Sequence, residues 1–351
     1  MRFIKAESLK KKPSDVSGFG KVFTDYMYVR EYRDGRWNDG EIRRFDALEL
    51  LPSASVLHYG QAAFEGLKAY RDDRGAVRLF RPEMNFERLK SSCERLCIPT
   101  VEVSDAIAAL TELVRIERDW IPTAAGTSLY IRPLVFACDD SLGVHSAKNY
   151  KFIIMLSPSG AYYSHGFAPV ALKVEREYVR AVAGGTGAFK VIGNYAASIK
   201  AGDSAIAEGY DQVLWLDGVH RKYVEEVGSM NIFFAFGDNV VTPELNGSIL
   251  PGITRDSCIK LLRDDGFDVE ERKISIDEVT GGARSGALTE IFGTGTAAVI
   301  SPVDRLGDGG EDFTIGVHGK SGKIASRLFD ELTGIQTGRY PDRFGWIKAL
   351  R

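Results

Sequence analysis

The sequence predicts a protein of mixed α and β structure (α/β or α+β) with two domains and a small-molecule site in the cleft between them. Three observations support this prediction: the chain length, the mixture of strand-like and helix-like segments, and one segment dense in turn-forming residues. The chain has 351 residues, and domains of ~150 residues are common, so two are expected. Apolar residues make up 44% and charged residues 26%, which is typical of a globular chain with a large core.

The first half is predicted to contain six strands and two helices. A polar, Lys-rich arm covers residues 1–20. Segments rich in β-branched and aromatic residues predict the strands, at 25–31, 42–45, 67–71, 77–80, 128–138 and 150–156. Apolar residues at helical spacing predict a helix from Glu83 to Cys97. Ser104 and Asp105 can cap a second helix that extends to about Glu117.

A segment of turn-forming residues at 157–166 separates the two halves. We therefore expect an N-terminal domain over 1–157, a linker and lid over 158–169, and a C-terminal domain over 170–351. In the second half, strands are predicted at 170–175, 211–216, 222–226, 231–236 and 267–274, and helices at about 195–208 and 253–264.

Composition argues against several classes of protein. The 45 basic and 48 acidic residues leave a net charge of −3, so no nucleic-acid partner is expected. No apolar run approaches the ~18 residues of a membrane helix, and the N-terminus has no apolar signal core. Four cysteines fit reduced thiols, so we expect a cytoplasmic protein without membrane contacts.

Three familiar motifs are only partly matched. Residues 293–298 fit GxGxxA, but Pro302 would end the following helix after about one turn, whereas a dinucleotide fold needs a crossover helix. Residues 319–321 resemble the end of a P-loop whose first glycine position is Thr314. The histidines and cysteines show no zinc-ligand spacing, so no metal site is expected.

The Gly-rich segment 184–195 contains a candidate nucleophile, Lys190, among apolar residues. Desolvation would lower the pKa of its ammonium towards a reactive amine, as imine chemistry requires. Tyr195 follows five residues later and could donate to an oxygen of the same ligand. The alternative is an exposed lysine in a flexible loop.

Three further segments could bind a charged ligand. Glu225 and Glu226 lie between strand-like runs, so strand alternation predicts that one faces inward and the other faces solvent. The segments 250–257 and 292–297 offer a helix N-terminus and a Gly-Thr turn, both suited to a phosphate or carboxylate. An amine, a phenol, an inward acid and two anion-binding turns are what pyridoxal 5′-phosphate needs.

With these segments, the chain resembles the branched-chain amino acid aminotransferases, and in particular their eukaryotic-like subgroup. These are class IV pyridoxal-phosphate enzymes of fold type IV. The similarity extends from Gly18 to Trp346. It rests on long motifs, at 57–68, 78–82, 129–133, 193–195, 226–231, 245–252 and 293–297. The resemblance implies a smaller N-terminal domain, a larger C-terminal domain with a β-barrel-like core, and a homodimer.

The resemblance also implies cofactor-binding roles. Lys190 matches the catalytic lysine, which forms the internal aldimine and moves the proton between the substrate Cα and C4′ of the cofactor. Tyr195 matches the residue at the phenolic oxygen, Glu226 the acid at the pyridine nitrogen, and Arg88 the phosphate arginine. The backbone N–H groups of Ile253 and Thr254, together with Thr296, complete the phosphate site.

The implied reaction is ping-pong transfer of an amino group between L-leucine, L-isoleucine or L-valine and 2-oxoglutarate. Ser229 and Ala297 match the positions that hold the substrate carboxylate. The side-chain pocket matches Tyr59, Phe64, Tyr130 and Arg132, with Tyr162 on the interdomain lid. Other fold-type-IV enzymes (D-amino acid or (R)-amine transaminases and aminodeoxychorismate lyase) are the nearest alternative, and a non-catalytic binding protein is the alternative of another class.

Two positions depart from the family pattern. Residues 196–198 are Ala-Ala-Ser where Gly-Pro is frequent. Ala298 and Ser301 occupy the positions of a CxxC pair found in mammalian relatives, so thiol redox control of that kind is not expected.

Overall fold

The computed structural model describes residues 1–13, 18–160 and 166–350. The predicted lid residue Tyr162 therefore lies outside the described residues. The chain forms two compact units. Unit 1 contains Met1–Ser164, Phe189–Ile192 and Gly334–Arg351, and unit 2 contains His165–Ala188 and Gly193–Thr333.

Unit 1 is built on one sheet whose strands, numbered along the chain, are β1 (Arg2–Phe3), β2 (Tyr26–Arg33), β3 (Arg36–Trp37), β4 (Glu41–Arg44), β5 (Ala62–Phe64), β6 (Leu67–Arg71), β7 (Val77–Phe80), β8 (Ser128–Ala137), β9 (Tyr150–Ser159) and the C-terminal β19 (Ile347–Leu350). The strand order is β1-β4-β2-β9-β8-β6-β7-β19, with β3 paired to β2 and β5 paired to β8. Pairing is antiparallel except between β1 and β4.

Three helices accompany this sheet: α1 (Ser55–Tyr59), α2 (Pro82–Arg95) and α3 (Val103–Ile116), the last followed by a 3-10 turn at Arg118–Trp120. Pro82 fits the first turn of α2, where its missing N–H costs no helical hydrogen bond. The apolar face of α2 packs with that of α3 in the core of the unit. A second row on α2, Asn85, Arg88 and Ser92, has the i, i+3, i+7 spacing of a single helix face.

Unit 2 has a second sheet, formed by β10 (Val170–Glu175), β11 (Gln212–Leu216), β12 (Val224–Val227), β13 (Asn231–Phe236), β14 (Asn239–Thr242), β15 (Asp268–Glu271), β16 (Glu290–Gly295), β17 (Val299–Asp308) and β18 (Glu311–Thr314). The helices between these strands are α4 (Ile192–Ala196), which begins on the last residue of the 189–192 segment, α5 (Ile199–Ala207), α6 (Ile253–Asp264) and α7 (Ile276–Ser285). They are followed by α8 (Lys323–Thr337).

The sheet of unit 2 curls back on itself. Its order is β12-β11-β10-β17-β16-β13-β14-β15, and a two-residue turn bridged by Val227 and Met230 joins β12 directly to β13. Gly228 occupies this turn with φ of 53°, and a Cβ there would lie 2.1 Å from Oε1 of Gln212. The first strand in this order, β12, therefore adjoins β13, and the strands from β12 to β13 form a barrel-like core.

Most predicted elements of the first half are confirmed, and the mixed α and β class is confirmed with them. The single helix predicted at 195–208 is wrong, because the chain forms α4 and α5 with a break at Ala197 and Ser198. Strand β9 continues to Ser159, into the segment predicted as a linker. Strand β17 follows the Gly-Thr turn and pairs antiparallel with β16, in place of a crossover helix.

The described helices include none with the length and apolar character needed to cross a membrane.

Candidate active site

The segment that carries Lys190 is held in unit 1 by its backbone. The carbonyl of Lys190 accepts a hydrogen bond from the N–H of Phe64 at 3.0 Å, and its N–H donates to Oγ of Ser92 at 2.9 Å. A β-bridge pairs Val191 with Ala63. The backbone of Lys190 is therefore fixed between β5 and α2, which argues against the alternative of an exposed, unanchored lysine.

The amine of Lys190 lies in a desolvated, charged environment. Its Nζ is 4.9 Å from the centre of the Phe64 ring. Burial of the amine, followed by the positive charge of Arg88, lowers the pKa of Lys190 to about 8, and the negative charge of Glu65 opposes that shift. At this pKa roughly a tenth of the lysine is neutral amine at pH 7, far more than for an ordinary lysine, and the neutral amine is the nucleophilic form.

Arg88 is fixed by a fully buried carboxylate. Its Nε donates to Oε1 of Glu65 at 2.7 Å and its Nη2 donates to Oε2 at 2.9 Å. Oε2 also accepts from Nδ2 of Asn85 at 2.8 Å and from the N–H of Gly66 at 3.0 Å. Burial opposes the charge of Glu65, but Arg88, together with Lys190 and Asn85, holds the pKa of this carboxyl below its ordinary value.

Three of the predicted pocket residues cluster in unit 1. The guanidinium carbon of Arg132 is 4.5 Å from the centre of the Phe64 ring, and its Nη2 donates to the hydroxyl of Tyr130 at 3.0 Å. A Cβ on Gly66 would lie 2.1 Å from that hydroxyl, so the glycine makes room for it. Tyr59 differs from these residues, because it is 43% exposed and its hydroxyl donates to the carbonyl of Leu142.

In unit 2, Glu226 lies at the centre of a second buried network. Its carboxylate forms an ion pair with Arg180 and accepts from Nδ2 of Asn231 at 3.2 Å. Nη2 of Arg180 also donates to two backbone carbonyls, that of Ser248 at 2.8 Å and that of Gly187 at 3.2 Å. The arginine is thus oriented by the backbone and compensates the buried negative charge.

The prediction that one of the adjacent acids faces solvent is wrong. Both are buried, with Glu225 4% and Glu226 3% exposed. Glu225 accepts from Nδ2 of Asn246 at 3.0 Å and from the hydroxyl of Ser248. Strand alternation does place the two acids on opposite faces, but the loop at 246–248 covers the face that was expected to be solvated.

The N-terminus of α6 adjoins this network. Nδ2 of Asn231 donates to the carbonyl of Leu250 at 2.9 Å, and a Cβ on Gly252 would lie 1.9 Å from Oδ1 of Asn231. Helix α6 begins at the next residue, and both Ile253 and Thr254 are buried. The backbone N–H groups of a first helical turn have no intrahelical acceptors and favour an anion.

The Gly-Thr turn contributes hydroxyl groups. Thr294 pairs with Asn231 across β16 and β13, so the two side chains share a face of the sheet. Its Oγ1 is buried and has no hydrogen-bond partner among the described residues. Thr296 and Ala297 are half-buried in the turn after β16, Ser229 is exposed in the turn between β12 and β13, and Tyr195 is half-buried on α4.

The residue types of both units fit a phosphorylated pyridine cofactor. Unit 1 provides a desolvated amine and a largely buried arginine. Unit 2 provides a carboxylate paired with an arginine, a helix N-terminus and a buried hydroxyl that lacks a partner among the residues described. No group of three or more potential metal-ligating side chains occurs within the described ranges.

Sequence reasoning assigned no individual role to Glu65, Ser92, Arg180 and Asn231. Thr294 was included only as part of the Gly-Thr turn at 292–297. A helical signal was available for one of them, because Ser92 lies on the α2 face that carries Asn85 and Arg88. Glu65 follows β5 directly and its partner Arg88 lies 23 residues later, so only the tertiary structure reveals their contact.

Comparisons with known proteins identify the family of this chain. A family model described as amino-transferase class IV matches residues 62–306. The chain is 53% identical over 342 residues to branched-chain-amino-acid aminotransferase 2 of Bacillus subtilis (strain 168), an alignment covering 97% of this chain and 94% of the relative.

Solved structures of aminotransferases share the fold of this chain. The branched-chain amino acid aminotransferase of Escherichia coli aligns with a TM-score of 0.78 at 28% identity, covering 93% of this chain and 99% of the other. The T.th. branched-chain amino acid aminotransferase with pyridoxamine 5′-phosphate aligns with a TM-score of 0.75 at 29% identity, covering 92% and 98%. These matches confirm the predicted fold class.

Proposed function

Because the chain belongs to the amino-transferase class IV family, we propose that it is a branched-chain amino acid transaminase with pyridoxal 5′-phosphate as its cofactor. Its substrates are L-leucine, L-isoleucine or L-valine as amino donor and 2-oxoglutarate as acceptor. The observation that carries the proposal is Lys190, whose backbone is fixed against β5 and α2 and whose amine has a pKa lowered to about 8.

The unit 1 residues act on the reactive carbon and the phosphate. Lys190 would supply the amine that holds the cofactor, and it would carry the proton that leaves the substrate Cα. Arg88 binds the phosphate with charge-assisted hydrogen bonds. Burial lowers the pKa of Lys190 to about 8. At that value the amine can both accept and release a proton near neutral pH, as a general base and acid must.

The unit 2 residues act on the ring and complete the phosphate site. Glu226, whose negative charge is compensated by Arg180, binds the protonated ring nitrogen, and Tyr195 donates to the phenolic oxygen. The N–H groups of Ile253 and Thr254 and the hydroxyl of Thr296 bind the phosphate. When bound, the cofactor withdraws electrons from the substrate Cα, which makes removal of its proton feasible.

The same pocket must accept an aliphatic side chain and a carboxylate in alternate half-reactions. Phe64 and Tyr130, both buried, provide apolar ring surface for the branched aliphatic group. Arg132 lies over the Phe64 ring and attracts the side-chain carboxylate of 2-oxoglutarate. Ser229 and Ala297 hold the carboxylate common to both substrates. The roles of Tyr59 and Tyr162 in the pocket stay predictions, since Tyr59 is 43% exposed and Tyr162 lies outside the described residues.

We further propose that the enzyme is a homodimer. Leu57 on α1 is 60% exposed, and Leu142 and Val144 in the loop after β8 are 63% and 83% exposed. A β-bridge between Ala54, the residue before α1, and Asp140 joins these two segments. Exposed apolar side chains of this size are typical of an interface. Sedimentation equilibrium should give twice the 38.7 kDa chain mass, and a monomer at micromolar concentration would contradict the proposal.

The transamination proposal is tested by comparing amino donors. Purified enzyme is incubated with 2-oxoglutarate and either L-leucine or D-alanine, and the glutamate formed is measured by chiral chromatography. We expect L-glutamate from L-leucine and none above background from D-alanine. Turnover of D-alanine without L-leucine would move the chain to another fold-type-IV activity, and no glutamate from either donor would contradict transamination.

A further inference from the structure

The buried carboxylate that contacts Arg88 is not itself one of the cofactor-binding residues proposed above. Glu65 is fully buried, directly follows β5, and contacts the guanidinium of Arg88 through both of its oxygens. We propose that Glu65 is a positioning residue for this site, fixing the guanidinium of Arg88 for phosphate binding and holding that group beside Lys190. This inference rests on the proposed function, since it assumes that Lys190 and Arg88 bind the cofactor.

The geometry of the carboxylate supports the first half of the proposal. The two parallel contacts from Nε and Nη2 fix both the position and the plane of the guanidinium, as single contacts do not. Asn85 and the N–H of Gly66 hold Oε2 from other directions. Glu65 is therefore immobile itself and restricts Arg88 to one orientation, so that phosphate binding does not require further ordering of a long side chain.

Backbone contacts bring this pair to the lysine. The residue before Glu65, Phe64, donates its N–H to the carbonyl of Lys190. On the opposite side, the hydroxyl of Ser92 donates to the carbonyl of Arg88 at 2.9 Å and accepts from the N–H of Lys190. The backbone of Lys190 is thus tied directly to the neighbour of Glu65 and, through Ser92, to Arg88.

Four charged or titratable groups influence the Lys190 amine. Arg88 and Arg132 lower its pKa, while Glu65 and Tyr130 raise it, in addition to the larger lowering by burial. Glu65 thus offsets part of the repulsion between two cationic groups that both have to face one phosphorylated ligand. Removing its charge while Arg88 remains should lower the pKa of Lys190 further.

The test uses the full-length chain freed of cofactor, in wild-type, Glu65→Gln and Glu65→Asp forms. Binding of pyridoxal 5′-phosphate and of pyridoxal, which lacks the phosphate, is measured by absorbance. Glutamine keeps the size but presents an NH₂ group to the donors of Arg88 and Asn85. We expect the preference for the phosphorylated form to fall about tenfold or more, with pyridoxal binding changed less than about threefold.

The second readout is the pH profile of Lys190 labelling by acetic anhydride, followed by peptide mass spectrometry. The midpoint should shift to lower pH in Glu65→Gln and stay near the wild-type value in Glu65→Asp, which keeps the charge but is one methylene shorter. Lys68 is an internal control, because burial alone lowers its pKa to about 8. Glu117→Gln is a matched control for a buried glutamate elsewhere in unit 1, since Glu117 accepts from the N–H of Tyr26.

The outcomes distinguish a failure of the proposed function from a failure of the positioning role of Glu65. A wild-type protein with no preference for the phosphorylated cofactor would contradict the role of Arg88 in the proposed function. A normal wild-type preference that Glu65→Gln retains, with an unshifted Lys190 midpoint, would overturn the role of Glu65 alone. If Glu65→Gln does not fold, Glu65→Asp decides, because retention of the full phosphate preference in that variant would overturn the positioning role.

Discussion

Each unit buries a glutamate against an arginine, and the two pairs are built in opposite ways. In unit 1, Glu65 is the fixed member, since Arg88, Asn85 and the N–H of Gly66 all donate to it. In unit 2, Arg180 is the fixed member, because it donates to the backbone carbonyls of Gly187 and Ser248 while it pairs with Glu226.

The difference indicates which member of each pair works on the ligand. A carboxylate saturated by donors serves as a scaffold and presents its arginine, which suits an anion such as phosphate. An arginine anchored by backbone carbonyls serves as a scaffold and keeps its carboxylate charged, which suits a cationic ring nitrogen. A buried ion pair contributes little net stability by itself, so two such pairs are better explained by function.

Lys190→Ala should have the largest effect, because it removes the group that makes unit 1 reactive. We expect the rate of the leucine half-reaction, followed by stopped-flow absorbance, to fall at least ~10³-fold, since both the nucleophile and the proton carrier are lost. Lys68→Met removes another buried lysine of unit 1 as a control and should still give a cofactor adduct after borohydride reduction. Substantial turnover by Lys190→Ala would rule out the assigned role.

Comparing Glu226→Gln with Glu225→Gln tests the claim that, in the buried pair of unit 2, the carboxylate is the member that binds the ligand. Loss of the charge at the ring nitrogen should reduce kcat about 10²-fold or more, the usual cost of removing one electrostatic group from a transition state. Glu225 is equally buried but contacts the loop at 246–248, so its variant should lose less than about tenfold. Equal losses in steady-state assays would mean that Glu226 is only structural.

The pH dependence of Lys190 labelling tests the claim that the amine of Lys190 in unit 1 is desolvated and lies near Arg88. Only the neutral amine reacts, so labelling rises with pH through the pKa, with a midpoint near 8 in place of the ordinary 10.5. The sign follows from burial and Arg88, both of which disfavour the ammonium form. A midpoint near the ordinary value in cofactor-free protein would show that the amine is solvated.

Gly252→Ala should have the smallest effect. Its Cβ would lie 1.9 Å from Oδ1 of Asn231, so Asn231 must move away from Glu226 and from the start of α6. We expect a loss of about 1–3 kcal/mol in urea-unfolding free energy together with weaker cofactor binding. Gly281→Ala in α7 has open space for its Cβ and should be neutral or stabilising; a neutral Gly252→Ala would contradict the close contact.

Local sequence patterns predicted the parts of this molecule that depend on local structure. The Gly-rich segment around Lys190, the helix carrying Arg88 and the N-terminus of α6 were all predicted at nearly their observed positions. The pairs Glu65–Arg88 and Arg180–Glu226 were not, because they join residues on different elements. The error at Glu225 has a similar cause, since alternation gives the face of a strand but not what covers that face.

The most direct test of the central claim is the visible absorption spectrum of the purified holoenzyme, recorded before and after L-leucine and then 2-oxoglutarate. The account predicts a cofactor band that L-leucine abolishes, that 2-oxoglutarate restores, and that Lys190→Ala lacks. A band that does not respond to L-leucine would contradict the proposed substrate, and the absence of a band after addition of pyridoxal 5′-phosphate would contradict the cofactor site itself.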